Sequence, residues 1–142
     1  ALPLGDMTRT NLFANAGFAS ASDWTLGADW SIGAGVATKV AGAATTHLSQ
    51  TPALAAGQVL RVGYRIVSAP APGSFRIRCQ GATAVDALIQ TAAGTYRGSL
   101  TVPASPTSLR ITGTSNAAGS VDDVAAYVQT PACLPQGANN LW

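Results

Sequence analysis

Residues 119–128 read Gly-Ser-Val-Asp-Asp-Val-Ala-Ala-Tyr-Val and predict the last strand of the chain. Residues 11–18, Asn-Leu-Phe-Ala-Asn-Ala-Gly-Phe, and the following Trp24-Thr25-Leu26 form an opening segment rich in large apolar side chains. Between the two ends we find only short apolar alternations separated by small-residue turns. We therefore expect the two ends of the chain to close one sandwich of strands.

An apolar residue at every second position predicts a strand, because successive side chains of a strand point to opposite faces. This pattern, with turn signals about every ten residues and no helical period, favours an antiparallel β-sandwich of the jelly-roll type over any alternation of strands and helices. The predicted strands cover residues 30–32, 36–40, 45–50, 58–68, 74–80, 85–90, 96–102, 108–114 and 119–128.

The clearest alternation is in residues 58–68, where Leu60, Val62, Tyr64 and Ile66 share one face. A turn-rich connection, Ser-Ala-Pro-Ala-Pro-Gly over residues 68–73, separates this strand from residues 74–80. The short connection predicts that the two strands pair antiparallel. Their outward side chains would then form one shared basic face, made of Arg61, Arg65, Arg76 and Arg78.

The composition limits the classes of partner. Of 142 residues, 47% are apolar and 10% charged, with no Glu and one Lys. So neutral a surface is typical of a protein docked into an assembly or living outside the cell, although a GC-rich genome gives a similar bias. A net charge of +2 is too small for strong binding to nucleic acid, and no apolar run is long enough to span a membrane.

We divide the chain into an N-terminal arm (1–10), a β-sandwich domain (11–128) and a C-terminal docking tail (129–142). Met7 begins a plausible native start, so residues 1–6 are either vector-derived or an upstream connector. The tail has no strand pattern, and its apolar residues favour docking on a partner chain or a symmetry mate. The alternatives are that it folds back on its own sandwich or is flexible. These tail residues are Leu134, Leu141 and Trp142.

The two cysteines, Cys79 and Cys133, either form a disulfide or remain free thiols. Cys79 alternates with Phe75 and Ile77 on an expected core face, which favours a buried free thiol over a disulfide with Cys133. Two cysteines and the one distant histidine, His47, do not make a recognisable metal site.

Three segments, taken in order, resemble a known kind of domain. They are residues 11–18 followed by Asp23-Trp24-Thr25, residues 54–64 (Leu-Ala-Ala-Gly-Gln-Val-Leu-Arg-Val-Gly-Tyr), and residues 120–124 (Ser-Val-Asp-Asp-Val). Over residues 11–128 they resemble the jelly-roll, carbohydrate-binding-module-like domain. The resemblance implies a module of a secreted glycan-active enzyme, or a spike, fibre or tail module of a phage or phage-like particle.

The resemblance also implies a structural calcium ion, which many such domains hold between the opening loop and an acidic residue of the closing strand. Asp122 and Asp123 are the candidate ligands in this chain, while Ala19 stands where relatives often place an acidic residue. The alternative is that one of the two aspartates hydrogen-bonds backbone amides. We expect no other cofactor.

Catalytic groups are not apparent. Glycoside hydrolysis needs two carboxyl groups facing each other across a bond, and neighbouring Asp122 and Asp123 on a strand would point to opposite faces. Asp23 and Asp29 are typical of turns next to core aromatics. His47 has no nucleophile motif beside it and is interpreted as a surface residue. We therefore expect that the chain is not an enzyme.

The arginine pattern favours binding. Planar guanidinium groups suit carboxylate or sulfate on acidic surface glycans, and the alternatives are a solvated sheet face or a subunit interface. Sugar binding also needs an exposed aromatic ring, for which the candidates are Trp24, Trp30, Tyr127 and Trp142, most of them expected in the core.

We interpret the chain as a non-enzymatic virion module, a head or tail spike, fibre or decoration protein, with host surface glycan as a further ligand. Its expected partners are other virion proteins and copies of itself. The alternatives are a carbohydrate-binding module of a secreted, extracellular enzyme and a purely structural capsid-bound protein.

Overall fold

A computed structural model describes residues 10–129, which form ten β-strands and no helix. Every predicted strand is confirmed, with bounds that differ by one or two residues. Because these residues form no helix, none of them builds a helix able to cross a membrane. The strands are β1 (Thr25–Leu26), β2 (Trp30–Gly33), β3 (Val36–Lys39), β4 (Thr46–Gln50), β5 (Val59–Ser68), β6 (Phe75–Gln80), β7 (Val85–Gln90), β8 (Gly94–Thr101), β9 (Ser108–Gly113) and β10 (Gly119–Val128).

The strands form two five-stranded sheets, and every pairing is antiparallel. Sheet A has the order β1-β4-β9-β6-β7, and sheet B has the order β2-β3-β10-β5-β8. The apolar faces of the two sheets meet in one core, so the predicted antiparallel β-sandwich is confirmed.

The prediction that β5 and β6 pair with each other is wrong. β5 lies between β10 and β8 in sheet B, whereas β6 lies between β9 and β7 in sheet A. Residues 69–74 therefore cross from one sheet to the other. Gly73 lies in this crossing against the backbone of Ala117, where a Cβ atom would collide. Alternation fixes which face of a strand is buried, but it does not fix the neighbouring strand.

The core is built by the inward side of each alternation. On β5 the predicted inward residues Leu60, Val62, Tyr64 and Ile66 are all buried. Trp30 of sheet B contacts Phe75 of sheet A, with ring centroids 5.5 Å apart. Aromatic pairs of this kind add about 1 kcal/mol beyond the area they bury. They therefore help to hold the two sheets together.

Lys39, the single lysine of the chain, is also buried, with 1% of its surface exposed. Its Nζ donates hydrogen bonds to the carbonyl oxygens of Val40 (3.1 Å) and Ala117 (3.4 Å). Its stem lies beside Gly113 and near the ring of Phe75, inside the core. Buried amines are rare and need such acceptors, so the carbonyl groups hold the lysine inside the sandwich.

The two ends of the sandwich close on each other, as predicted. The amide nitrogen of Leu12 donates to the Ala126 carbonyl at 2.8 Å, and the Asn11 side chain bonds the backbone of Val124 and Ala126 at 3.0 Å each. β3 pairs only with residues 119–121 of β10, so the opening segment covers the edge of β10 beyond them. These contacts cover the edge that the C-terminal half of β10 would otherwise leave open.

Candidate functional site

A groove of about 750 Å³ lies on the outward face of sheet B, over β5, β8 and β10. We call it the outer groove. Its floor passes over Gly63, where a Cβ atom would lie 3.0 Å from the Tyr96 carbonyl oxygen and 3.4 Å from Arg97 Cγ. The missing side chain at position 63 therefore keeps the floor open. The polar and aromatic side chains along it are those of Arg61, Arg65, Thr95, Arg97, Asp123 and Tyr127.

Arg65 is the one groove arginine whose charge is balanced. Its Nη2 lies 3.2 Å from Asp122 Oδ2, and its Nε lies 3.2 Å from Asp123 Oδ2. The two carboxylates thus lie on the same side of the sheet, and the prediction that they point to opposite faces is wrong. The cause is a β-bulge, because the register with β5 shifts between Asp122 and Ala125 and Asp123 has φ of 51°.

Arg61 and Arg97 have no carboxylate partner among residues 10–129, and both are exposed. In the sheet, Arg61 lies between Tyr127 of β10 and Ser99 of β8, while Arg97 is opposite Gly63. They are therefore diagonal neighbours on one face, close enough for both to reach a single ligand group. The half-buried ring of Tyr127 stands beside them.

Arg97 was missing from the sequence-based site. Its outward position was apparent from the alternation of β8, but residues 69–93 separate β8 from β5, and nothing local identifies the two strands as neighbours. The signal that could have found it is the shared absence of an acidic residue along β5 and β8. Such an absence becomes informative only when the strand pairing is known.

Arg76 and Arg78 do not share a face with Arg61 and Arg65. They lie on the outward surface of sheet A, on the opposite side of the sandwich, because β5 and β6 belong to different sheets. We call this surface the arginine face and define it by His47, Arg76, Arg78, Asp86 and Arg110. The predicted four-arginine face is therefore wrong as geometry, and a binding role for either pair stays a prediction.

Asp86 organises the arginine face. Its carboxylate accepts from Arg78 Nε at 2.6 Å and Nη2 at 3.0 Å, and from Arg76 Nη1 at 3.3 Å. The hydrogen bonds from Arg78 hold the pKa of Asp86 below its usual range, and those from Arg76 act in the same direction. The three side chains expose only 19 to 24% of their surface, so these ion pairs are partly buried.

His47 lies on the same face, on β4, next to Thr112 of β9. Burial lowers the pKa of His47, and the positive charges of Arg110 and Arg78 lower it further. The imidazole is therefore biased toward its neutral form. This agrees with the prediction of a surface residue on a polar face, although the side chain is half-buried.

The candidate calcium ligands are engaged elsewhere, since Asp122 and Asp123 both bind Arg65. Among residues 10–129 no three His, Cys, Asp or Glu side chains come together. A calcium ion takes six or more oxygen ligands, and the guanidinium group of Arg65 already occupies the space between these two carboxylates. The residues present therefore do not fit a calcium site.

The remaining candidate residues either belong to the core or lie outside residues 10–129. Cys79 is fully buried on the inner face of β6, as predicted, and burial raises the pKa of its thiol. Trp24 and Trp30 are core residues, which leaves Tyr127 as the groove's candidate ring. Cys133 and the docking-tail residues Leu134, Leu141 and Trp142 lie outside residues 10–129.

The fold is similar to those of solved carbohydrate-binding modules. A family 29 module matches at a TM-score of 0.55 and 13% identity, over 87% of this chain and 91% of that one. The module TmCBM61, solved with β-1,4-galactotriose, matches at 0.52 and 16% identity, over 84% and 99%. At these identities the likeness shows the fold, and the chain has the jelly-roll β-sandwich of such modules.

The same fold occurs in a phage protein. Tailspike protein 4 of bacteriophage CBA120, solved as its enzymatically active domain, matches at a TM-score of 0.52 and 16% identity. The match covers 84% of this chain but only 21% of the tailspike chain. No protein-family model matches the sequence, and no curated protein matches it either.

Proposed function

We propose that the chain is a non-catalytic carbohydrate-binding module and that the outer groove is its binding site. The observation that carries the proposal is the pair Arg61 and Arg97, two exposed guanidinium groups that pair with no carboxylate of residues 10–129 and line a groove of about 750 Å³. A groove of this size suits a short oligosaccharide. The fold shared with carbohydrate-binding modules supports the proposal.

The groove's chemistry favours a glycan that bears carboxylate or sulfate groups. A guanidinium group binds either oxyanion through two parallel N–H groups, and such charge-assisted bonds are stronger than neutral ones. The ring of Tyr127 offers an apolar face to a sugar ring, and its hydroxyl group offers a polar end. Arg65 is less available, since Asp122 and Asp123 already neutralise it.

We further propose that the module belongs to a virion spike, fibre or decoration protein, where it binds host surface polysaccharide. The tailspike likeness and the scarcity of charged residues favour this setting. A carbohydrate-binding module of a secreted glycan-active enzyme is the second candidate, favoured by the likeness to modules such as TmCBM61. Light scattering of the full chain, alone and with particle components, separates the two, because only a virion protein should attach in fixed stoichiometry.

The test of the binding function is a glycan array that pairs each uronic-acid or sulfated oligosaccharide with its neutral counterpart. The full chain should be retained by acidic members, and Arg97→Ala should weaken that binding about tenfold through the loss of a charge-assisted contact. The matched control is Arg9→Ala, which removes the same charge at a position outside residues 10–129 and should bind normally. Equal losses in both variants would show that overall charge, not the groove, binds the glycan.

A further inference from the structure

The arginine face has a surplus of positive charge. One row of cross-strand neighbours runs from Asp86 through Arg78 and Arg110 to Ser49, over β7, β6, β9 and β4. The only carboxylate lies at the Asp86 end of the row. Arg78 and Arg110 lie directly opposite each other, and like charges in that position destabilise a sheet. The row therefore lacks a negative charge at its Ser49 end.

Arg110 shows the consequence of the missing charge. Its Nε donates to Ser108 Oγ at 2.8 Å, and its Nη1 makes only a 3.5 Å contact with Gln80 Oε1. Neither acceptor is charged, and no carboxylate among residues 10–129 pairs with Arg110. Burial and the charge of Arg78 both lower the pKa of Arg110. Its guanidinium group is thus partly desolvated and bonded only to neutral acceptors among the described residues.

Two buried polar atoms on this face also have no partner among the described residues. They are the hydroxyl oxygen of Thr112, a residue with 0% exposure, and the Nε of Arg76. Thr112 lies between His47 and Arg76 in the neighbouring row of the sheet. Buried donors are normally paired, because leaving one unpaired is unfavourable. Both atoms therefore leave hydrogen-bonding capacity unused beneath this face.

We propose that the arginine face docks an acidic segment of a protein partner, with one carboxylate placed between Arg110 and His47 at the Ser49 end of the row. That carboxylate would stand to Arg110 as Asp86 stands to Arg78. The bidentate contact between Asp86 and Arg78 shows that this face accommodates a side-chain carboxylate. Partly buried arginines on a sheet face also suit a protein interface, where arginine is enriched.

The pKa of His47 can report a carboxylate bound beside Arg110, because His47 is the only histidine of the chain and its imidazole signals need no assignment. The charged groups that face it are Arg110 of β9 and Arg78 of β6, and β1 on its other side contributes only Thr25 and Leu26. Burial lowers the pKa of the imidazole, and both arginines lower it further. A carboxylate beside Arg110 would offset them and raise the pKa of His47 toward its ordinary value of about 6.5.

The experiment follows the imidazole protons of the full chain by NMR at fixed ionic strength, with hexaglutamate and hexaglutamine as probes. Hexaglutamate should raise the pKa of His47, and hexaglutamine should leave it unchanged. Arg110→Ala should weaken hexaglutamate binding about tenfold, the effect of one lost charge-assisted contact. If inorganic sulfate shifts the histidine and hexaglutamate does not, the carboxylate assignment is overturned.

A second variant supplies the missing charge within the chain. Ser49→Asp should raise the pKa of His47 without any peptide and should abolish the response to hexaglutamate. Its control is Ser99→Asp, which adds the same charge to the exposed outward face of sheet B and should leave His47 unchanged. If Ser49→Asp responds to hexaglutamate like the original chain, the proposed place of docking is wrong. Neither result depends on glycan binding in the outer groove.

Discussion

The two outward faces of the sandwich use arginine differently. In the outer groove, Arg61 and Arg97 are exposed and have no carboxylate partner within residues 10–129, whereas on the arginine face Arg76 and Arg78 are partly buried around Asp86. The same residue type is therefore available for a ligand at Arg61 and Arg97 and engaged in the structure at Arg76 and Arg78. The position of the aspartates, rather than the number of arginines, decides which arginines are available.

The difference between the two faces depends most strongly on Asp86. Asp86→Asn should lower the free energy of unfolding by about 2 kcal/mol, because Arg76 and Arg78 would remain desolvated without their shared carboxylate. Chemical denaturation at neutral pH measures this loss. A loss close to zero would mean that Asp86 pairs with solvated arginines and that the two faces do not differ.

The pH dependence of stability, measured for the original chain and for Asp86→Asn, is the control for this prediction. The folded pKa of Asp86 is lowered, so its contribution is present above the unfolded pKa of about 4 and is lost as the pH falls through the folded value. The stability of the original chain should therefore drop in acid. Asp86→Asn should lack this component of the drop.

The matching change in the groove is expected to have a smaller effect. Arg65 and Asp123 expose 43% and 67% of their side chains, and exposed ion pairs contribute less than about 1 kcal/mol. Asp123→Asn should therefore hardly change stability, and Asn tolerates the positive φ at this position. Arg65, then paired with Asp122 alone, should tighten the binding of acidic glycans by up to about fivefold, measured by titration calorimetry. Weaker binding would instead indicate that Asp123 contacts the glycan.

The smallest expected effect concerns His47. Its folded pKa is lowered, so the unfolded chain takes up a proton first, and stability should decline by a few tenths of a kcal/mol as the pH falls below about 6.5. His47→Gln should flatten the profile between about pH 5 and 7. Thermal unfolding of both chains across this pH range measures the profile. If the profile of the variant keeps its slope, a group other than His47 causes the decline in stability.

The strands and their buried faces were predictable from the sequence. Alternation placed Leu60, Val62 and Tyr64 inward, because burying one face of a strand depends only on local spacing. The pairing of β5 with β8 was not predictable in this way, since it depends on how residues 69–74 cross between the sheets. The short connection suggested a hairpin that does not form.

The bulge at Asp122 and Asp123 was a second feature of the candidate site that the sequence did not predict. Alternation fails at Asp122 and Asp123, where the bulge turns two neighbouring carboxylates to one side and both reach Arg65. A bulge depends on the partner strand, so the residues Val121-Asp122-Asp123-Val124 alone do not reveal it. The sequence therefore singled out Arg65, Asp122 and Asp123 but not their pairing with one another.

The burial of Lys39 gives the chain an unusual chemical property. With its one lysine enclosed between the sheets, the folded sandwich should offer no lysine to an amine-reactive label. Labelling of Lys39 would require the strands around Gly113 and Ala117 to separate. The labelling rate of the Lys39 amine therefore measures how often the core opens. Mass spectrometry can follow this rate on the unaltered chain.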